Sequence, residues 1–167
     1  ILFENFKAGT LDKYGLGYEQ LKKEFPRLIY CSLTGFGHDG PYADRAGYDF
    51  LIQGMGGLMS ITGPAGGAPS KVGVACTDLV TGLYALNGIL AALYHREKTG
   101  RGQFIDIALL DAQVAALSYA GQYYLTTDAA PPRMGNAHAT IVPYETFEAK
   151  DGHIILAIGN DRQFATF

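Results

Sequence analysis

Asp78 is the residue whose surroundings in the sequence most suggest chemistry. It is the one charged side chain inside the run KVGVACTDLVTGLYALNGILAALYH, between the basic flanks Lys71 and His95. Water strongly favours an ionised carboxylate, so placing one at the head of an apolar run costs free energy. Four roles fit such a residue: a helix cap, the partner of a cation, the mark of a membrane segment, or a reacting carboxylate.

The cap is the ordinary role for a carboxylate in this position. A helix from Asp78 to about Lys98 would place the side chain at its N-cap, where it accepts backbone N–H bonds and the helix dipole favours the anion. Glycine-rich segments, GMGG and GPAGGAPSK, come just before it. Their bare backbone N–H groups are able to approach a bound ligand closely. By itself the pattern favours the cap, since most capped carboxylates are structural.

Composition limits the classes of function. A chain of 167 residues with 48% hydrophobic and 17% charged residues can bury a sizeable core and is not typical of disorder. The net charge is -3 and the one basic cluster is HREKTGR, which argues against nucleic-acid binding. Cys31 and Cys76 lie in apolar runs without metal-ligand spacing. They predict reduced thiols of a cytoplasmic protein, and no metal site is expected.

The apolar run also raises the question of a membrane span. Residues 72–94 reach the roughly 20 residues that a spanning helix needs. Asp78 and Asn87 would then lie in hydrocarbon, which argues against a membrane. Small residues recur at helical spacing and predict a smooth stripe against which another backbone packs; they are Gly82, Ala85, Gly88 and Ala92. We therefore expect a fully buried helix and no membrane partner.

The flanking segments predict an α/β fold. Strands are expected at about Arg27–Leu33 and Phe104–Ile107, and an amphipathic helix precedes the first of them. Strand, helix and strand in this order indicate a parallel layer. After about Thr126 the pattern changes to a hairpin, PYETFEA, KDG and HIILAIG. We predict one domain over 1–125, and over 126–167 a linker and the start of a smaller α+β domain.

Three stretches resemble the class III CoA-transferases of the CaiB/BaiF type, the superfamily of formyl-CoA transferase and α-methylacyl-CoA racemase. They are LTGFGHDGPYADRAGYDFLIQGMGGLMSITG, VGVACTDLVTGLYALNGILAALYHREKTGRGQFIDIALLDA and GNDRQF. The resemblance implies a partial Rossmann-like large domain followed by the start of a small one. The first residue is Ile1, not Met, so we expect an internal piece of a longer protein. Proteins of that family form interlocked dimers, so the resemblance implies a homodimer for the full-length protein.

In that family the aspartate of VGVA-x-x-D-x-x-x-G is catalytic, and here it is Asp78. The resemblance implies that its carboxylate attacks an acyl-CoA thioester, forms an acyl–aspartyl anhydride and then an aspartyl-CoA thioester, and passes CoA to an acceptor carboxylate. Coenzyme A thioester is thus a substrate, and no permanently bound cofactor is expected. GMGG and RMGNAH are the candidate loops for oxyanion donors. The CoA site is incomplete in these residues, which leaves the activity of the piece by itself open.

The resemblance also implies further binding residues. Asn5, Phe6 and Lys7 match a segment that contacts CoA, and Lys13 matches a basic position near the nucleotide phosphates. The four residues expected to border the pantetheine and acyl group are Ala46, Gly47, Tyr48 and Asp49. A solvated lysine or a packed tyrosine is the structural alternative for these positions. The role of His138, in RMGNAH, stays open.

A racemase or epimerase of the same superfamily is the alternative function. Those enzymes pair the aspartate with a histidine in a GHD-like motif, so that two groups move a proton at the substrate α-carbon. Here the motif is GYD, and the phenol of Tyr48, with a pKa of ~10, is a poor base near neutral pH. His38 lies nearby in the sequence but not at the matching position. Transferase is therefore favoured; a non-enzymatic module with Asp78 as a plain cap is the third hypothesis.

Overall fold

The chain forms one parallel sheet and one separate hairpin, and the computed structural model describes all of residues 1–167. The parallel sheet has the order β1 (Leu2–Glu4), β2 (Tyr30–Thr34), β3 (Phe104–Ala108), and the antiparallel hairpin is β4 (Tyr144–Ala149) with β5 (Gly152–Ala157). The helices are α1 (Tyr18–Glu24), α2 (Asp49–Met55), α3 (Leu58–Ile61), α4 (Cys76–Thr99), α5 (Leu109–Ala116), α6 (Tyr119–Thr127) and α7 (Asp161–Thr166), with a 3-10 turn at Leu11–Tyr14.

Strand β2 is the centre of the parallel sheet. It pairs with β1 on one side, from Leu2 opposite Tyr30, and with β3 on the other, from Tyr30 opposite Phe104. Its unbroken apolar run is buried, as expected for a strand covered on both faces, and Cys31 is fully inaccessible. The α/β prediction is confirmed. Because the three strands run the same way, their carboxyl ends meet at one edge of the sheet.

Helix α4 is longer and more exposed than the sequence predicted. It begins two residues before Asp78 and packs against α5, β3, β2 and α2 along a narrow stripe. The buried members of that stripe are Thr77, Thr81, Ala85 and Ala92. Gly88 also faces the sheet, since a Cβ there would lie 3.2 Å from Ile105 Cγ2, whereas Gly82 faces open space.

The prediction of a fully buried helix is therefore wrong for this chain. The three-stranded sheet covers one side of α4, so the apolar residues of the opposite side remain accessible. Those residues are Leu79, Leu83, Tyr84, Leu86, Leu90 and Tyr94. By length and mean hydropathy α4 also passes the test for a membrane-spanning helix. One such helix is weak evidence for a membrane, because core helices of other proteins pass the same test.

The hairpin occupies the region where the sequence predicted a second domain to begin. The segment before it is attached to the first part of the chain through Arg133, whose guanidinium donates to the carbonyl oxygens of Ser60 and Gly67 at 2.9 and 2.6 Å. The N–H of Gly135 donates to the carbonyl of Gly63. The domain boundary near residue 125 stays a prediction.

Candidate active site

A cavity of about 530 Å³ opens at the carboxyl edge of the parallel sheet. Its lining comprises Asn5, Phe6, Lys7, Leu33, Thr34, Gly35, Arg45, Ala46, Gly47, Tyr48, Asp49, Asp78 and Leu109. Eight of the nine predicted site residues are in this set. The remaining one, Lys13, lies exposed in the 3-10 turn and does not line the cavity. Segments distant in the sequence thus meet where ligands of open parallel sheets commonly bind.

Each strand end contributes to the cavity. The segment after β1 supplies Asn5, Phe6 and Lys7, β2 runs into Gly35, and β3 leads directly into Leu109 at the start of α5. The loop after β2 then folds back, so that Gly47 lies against Gly35. A Cβ on either glycine would lie 2.5 Å from the Cα of the other, so neither position has room for a side chain. This backbone contact places residues 46–49 at the cavity.

The side chain of Asp49, not that of Asp78, accepts the free backbone N–H groups at the start of helix α4. The N-cap residue of α4 is Ala75, and Asp78 is the third residue of the helix, without a capping hydrogen bond from its side chain. Asp49 Oδ2 accepts the backbone N–H groups of Thr77 at 2.8 Å and Asp78 at 3.3 Å. The predicted N-cap role of Asp78 is therefore wrong. The physical reason is that a carboxylate from α2 already satisfies these free donors, which leaves the Asp78 carboxylate without a backbone partner.

The electrostatics of Asp78 differ from those of a solvated aspartate. Desolvation by burial, and then the negative charge of Asp49, raise the pKa of Asp78 above its ordinary value. The side chain nevertheless remains accessible. The cations of the cavity lining are Lys7 and Arg45, and neither forms an ion pair within the chain. The chain contains no group of three or more His, Cys, Asp or Glu side chains suited to a metal ion.

Buried amides, which sequence reasoning missed, hold the start of α4 in place. Gln53 on α2 is fully buried; its Nε2 donates to Asp49 Oδ1 at 2.6 Å and its Oε1 accepts the N–H of Val72 at 2.9 Å. Thr77 Oγ1 donates to Oε1 of Gln113 on α5 at 2.5 Å. The available signal was a glutamine within each apolar helical stretch, FLIQG and LLDAQVAA. Buried polar groups require partners, so such residues mark specific contacts.

Tyr48 and Arg45 extend the site beyond the aspartates. The side chain of Tyr48 is 74% exposed, so the alternative of a tyrosine packed in the core is wrong for this chain. Arg45, which the sequence analysis did not single out, lines the cavity and stacks on the ring of Tyr42 at 4.2 Å. The signal for Arg45 was its place directly before the predicted segment 46–49.

The two glycine-containing loops predicted to supply oxyanion donors lie elsewhere. Neither GMGG (54–57) nor RMGNAH (133–138) lines the cavity; the first joins α2 to α3, and the second contacts the 60–67 region. His138 stacks on Tyr119 and accepts the N–H of Thr140 through Nδ1, so it has structural partners. Local glycine content therefore did not identify the backbone at the cavity.

His38 belongs to a second, smaller cavity of about 200 Å³. Its Nε2 is 2.7 Å from Ser32 Oγ, and its backbone N–H donates to Asp106 Oδ2 at 3.0 Å. Lys7 is the residue that lines both cavities. No histidine of this chain lines the cavity of Asp78, so these residues do not supply the histidine partner of the racemase alternative.

The comparisons with known proteins place the chain in a family. CoA-transferase family III matches the chain over residues 1–167. A succinate–glutarate CoA-transferase of Agrobacterium fabrum is 54% identical over 98% of this chain and 41% of its own length. The human succinyl-CoA:glutarate CoA-transferase is 49% identical over 99% of this chain and 38% of its own.

A solved structure extends the likeness to three dimensions. The crystal structure of a CaiB/BaiF family protein from Brucella suis superposes with a TM-score of 0.88 and 55% identity, over 98% of this chain and 43% of the other. The chain spans about two fifths of the length of the curated relatives it matches. Matched in sequence over residues 1–167 and in fold over 98% of its length, the chain belongs to CoA-transferase family III.

Proposed function

We propose that the protein containing this chain transfers CoA from an acyl-CoA thioester to a carboxylic acid, with Asp78 as the nucleophile. The observation that carries the proposal is the cavity that gathers Asp78 with the segments 5–7 and 46–49. Two relatives are named for succinate and glutarate, which are both dicarboxylic acids. They support dicarboxylic acids as the substrate class. A cytoplasmic location and a homodimer stay predictions.

The proposed reaction keeps the energy of the thioester through covalent steps on the enzyme. The Asp78 carboxylate attacks the thioester carbonyl, which releases CoA thiolate and leaves an acyl–aspartyl anhydride. The thiolate then attacks the aspartyl carbonyl, which gives an aspartyl-CoA thioester and frees the donor acid. The acceptor carboxylate attacks that thioester and forms a second anhydride. The released thiolate attacks the acceptor's carbonyl, so that acceptor-CoA leaves and Asp78 is regenerated.

The surroundings of Asp78 support this role. Because Asp49 satisfies the backbone donors at the start of α4, the Asp78 carboxylate is left free to react. Gly47 and Tyr48 line the cavity, and their backbone N–H groups donate to no acceptor within the chain, so these groups are candidates to stabilise a developing oxyanion. The racemase alternative lacks such support, since His38 lies at the other cavity.

The substitution Asp78→Asn in the full-length protein tests the proposal. An amide cannot form the anhydride, so transfer should fall by more than about a thousandfold. Asp111→Asn is the matched control, because Asp111 is also an exposed acidic third residue of a helix but does not line the cavity. The control should retain normal transfer.

The covalent intermediate gives a second readout. Wild-type protein incubated with acyl-CoA alone should accumulate an anhydride or CoA thioester on Asp78. Hydroxylamine converts the aspartyl-CoA thioester to the aspartyl hydroxamate, which peptide mass spectrometry locates. Near-normal transfer by Asp78→Asn, or an adduct on another residue, would show that Asp78 is not the nucleophile.

A further inference from the structure

A dicarboxylic substrate needs a cation for its second carboxylate, and Asp78 does not meet this requirement. Such an acid reacts through one carboxylate, and the other enters the cavity as a second negative charge. The cavity already contains the carboxylates of Asp49 and Asp78. Bringing a further anion close to these two negative charges is unfavourable unless a cation receives it. The candidates are Lys7 and Arg45, the cations among the lining residues.

The positions of these two cations distinguish their roles. Lys7 follows Asn5 and Phe6 after β1 and also lines the second cavity. Arg45 directly precedes the segment 46–48, which leads into α2 at Asp49, and the Asp49 carboxylate accepts the backbone N–H of Asp78. Arg45 is thus the cation on the segment that adjoins the reacting carboxylate.

The contacts of Arg45 leave its hydrogen-bonding groups free while restraining the side chain. Its guanidinium makes no ion pair and no hydrogen bond to another group of the chain. It stacks on the Tyr42 ring at 4.2 Å, and that ring packs edge-on against Phe36 at 5.4 Å. A stacked guanidinium keeps its edge N–H donors available, and their planar fork fits a carboxylate in a bidentate manner.

We propose that Arg45 is the specificity-determining residue that binds the carboxylate not exchanged in the reaction, and so selects dicarboxylic over monocarboxylic acids. This inference rests on the proposed function. It names the residue that selects the substrate class and gives the reason for the selection. An acid that lacks the second carboxylate leaves Arg45 without its partner.

The test compares glutarate with pentanoate as acceptors in the full-length protein. The two acids have five carbons each and differ in the distal carboxylate, and the donor, succinyl-CoA, is held at one saturating concentration. Wild-type protein should prefer glutarate. Arg45→Gln should lower kcat/KM for glutarate by about 10- to 100-fold, mainly through KM, with pentanoate little changed. Arg45→Lys should restore part of the preference, because lysine supplies the charge without the fork.

Arg101→Gln is the matched control. Arg101 is exposed, lies at the amino end of β3 and does not line the cavity, so this variant should keep the glutarate preference. Retained pentanoate transfer shows that Arg45→Gln is folded. Three outcomes would overturn the role of Arg45 while Asp78 chemistry stands. They are an unchanged ratio of kcat/KM for glutarate to that for pentanoate in Arg45→Gln, an equal loss of kcat/KM for both acids, and a wild-type protein that does not prefer glutarate. Absence of transfer to either acid by wild-type protein would overturn both proposals.

Discussion

Two carboxylates meet at the start of α4, and they differ in what holds them. Both oxygens of Asp49 accept hydrogen bonds, from Gln53 and from the backbone of the first helical turn. Asp78 accepts none within the chain, and burial together with the Asp49 charge raises its pKa. One aspartate is therefore fixed as a structural acceptor, whereas the other is left as a free carboxylate whose ionised form is destabilised.

The raised pKa predicts how activity depends on pH. Because the nucleophile is the ionised form, kcat/KM should fall with acidification at a higher pH than an ordinary aspartate would give. Asp49→Asn removes the repelling charge and should shift this acid limb to lower pH, although not fully, since burial remains the larger cause. The pH profile of the full-length protein measures the limb. Asp151→Asn, in the hairpin turn, should leave it in place; a limb that Asp49→Asn leaves unmoved or shifts upward would contradict the assignment.

The raised pKa of Asp78 also predicts how this residue affects the stability of the fold at different pH. A carboxyl with a raised folded-state pKa binds its proton more tightly in the folded than in the unfolded chain, so its contribution to stability falls as pH rises through that interval. Above the raised pKa the ionised Asp78 counts against the fold. The inactive Asp78→Asn variant should therefore have a Tm at pH 7 equal to or slightly above that of wild-type protein. A clear drop in Tm would mean that the ionised carboxylate stabilises the structure.

Tyr48 provides a separate residue-scale prediction. Its phenol is exposed to the cavity region and makes no hydrogen bond within the chain. If it donates to substrate, Tyr48→Phe should lower kcat/KM by about fivefold, the value of one neutral hydrogen bond of ~1 kcal/mol. Thermal unfolding should be unchanged, because no internal bond is lost. Unchanged kcat/KM in Tyr48→Phe would show that the phenol does not donate to substrate.

At the scale of elements, the cavity depends on close contact between two loops. Gly35 follows β2 and Gly47 precedes α2, and their backbones touch so closely that neither tolerates a Cβ. This contact holds α2 where Asp49 reaches the first turn of α4 and where buried Gln53 reaches Val72. The helix that carries Asp78 is thus oriented by α2 rather than by its own capping residue.

Gly47→Ala tests this arrangement. The added methyl group would lie 2.5 Å from Gly35 Cα, so the loops must separate. We expect a loss of about 1–3 kcal/mol in the free energy of unfolding, as for other overpacked sites, together with reduced transfer. Gly82→Ala is the control, since a Cβ there meets open space and should stabilise α4 by about 0.5–1 kcal/mol. Denaturant unfolding measures both; equal stability of the two variants would contradict the close contact.

At the scale of the whole molecule, burial is uneven. Strand β2 is almost completely buried between its neighbours, whereas most side chains of β5 are exposed. The outer side of α4 is also open. The parallel sheet is therefore the stable centre of this chain, and the hairpin lies at its periphery.

Amide hydrogen exchange checks this difference. In the 167-residue chain, backbone amides of β2 should exchange more slowly than those of β4 and β5, because exposed ladders open through local fluctuations while buried ones need larger unfolding. Exchange followed by mass spectrometry on peptides covering residues 28–36 and 144–157 measures it. Equal protection of the two regions would contradict a peripheral hairpin.

Much of the site was predictable from the sequence because each piece has a local pattern. The buried strand shows as the apolar run LIYCSL, and the helix as the long run after Asp78. The family motifs identify segments 5–7 and 46–49 and the aspartate. Parallel order alone then places strand ends at one edge of the sheet, which is where these segments converge.

Tertiary structure decided which side chains meet within that edge. The donors at the start of α4 are satisfied by Asp49 from another helix, and Gln53 and Gln113 acquire their partners through contacts between segments far apart in the chain. Helical periodicity also could not tell how many sides of α4 are covered, since that depends on what packs around the helix. Local sequence determines where a helix or strand forms and which of its positions are apolar. The hydrogen-bond partner of a polar side chain depends on which segments of the chain lie close together in space.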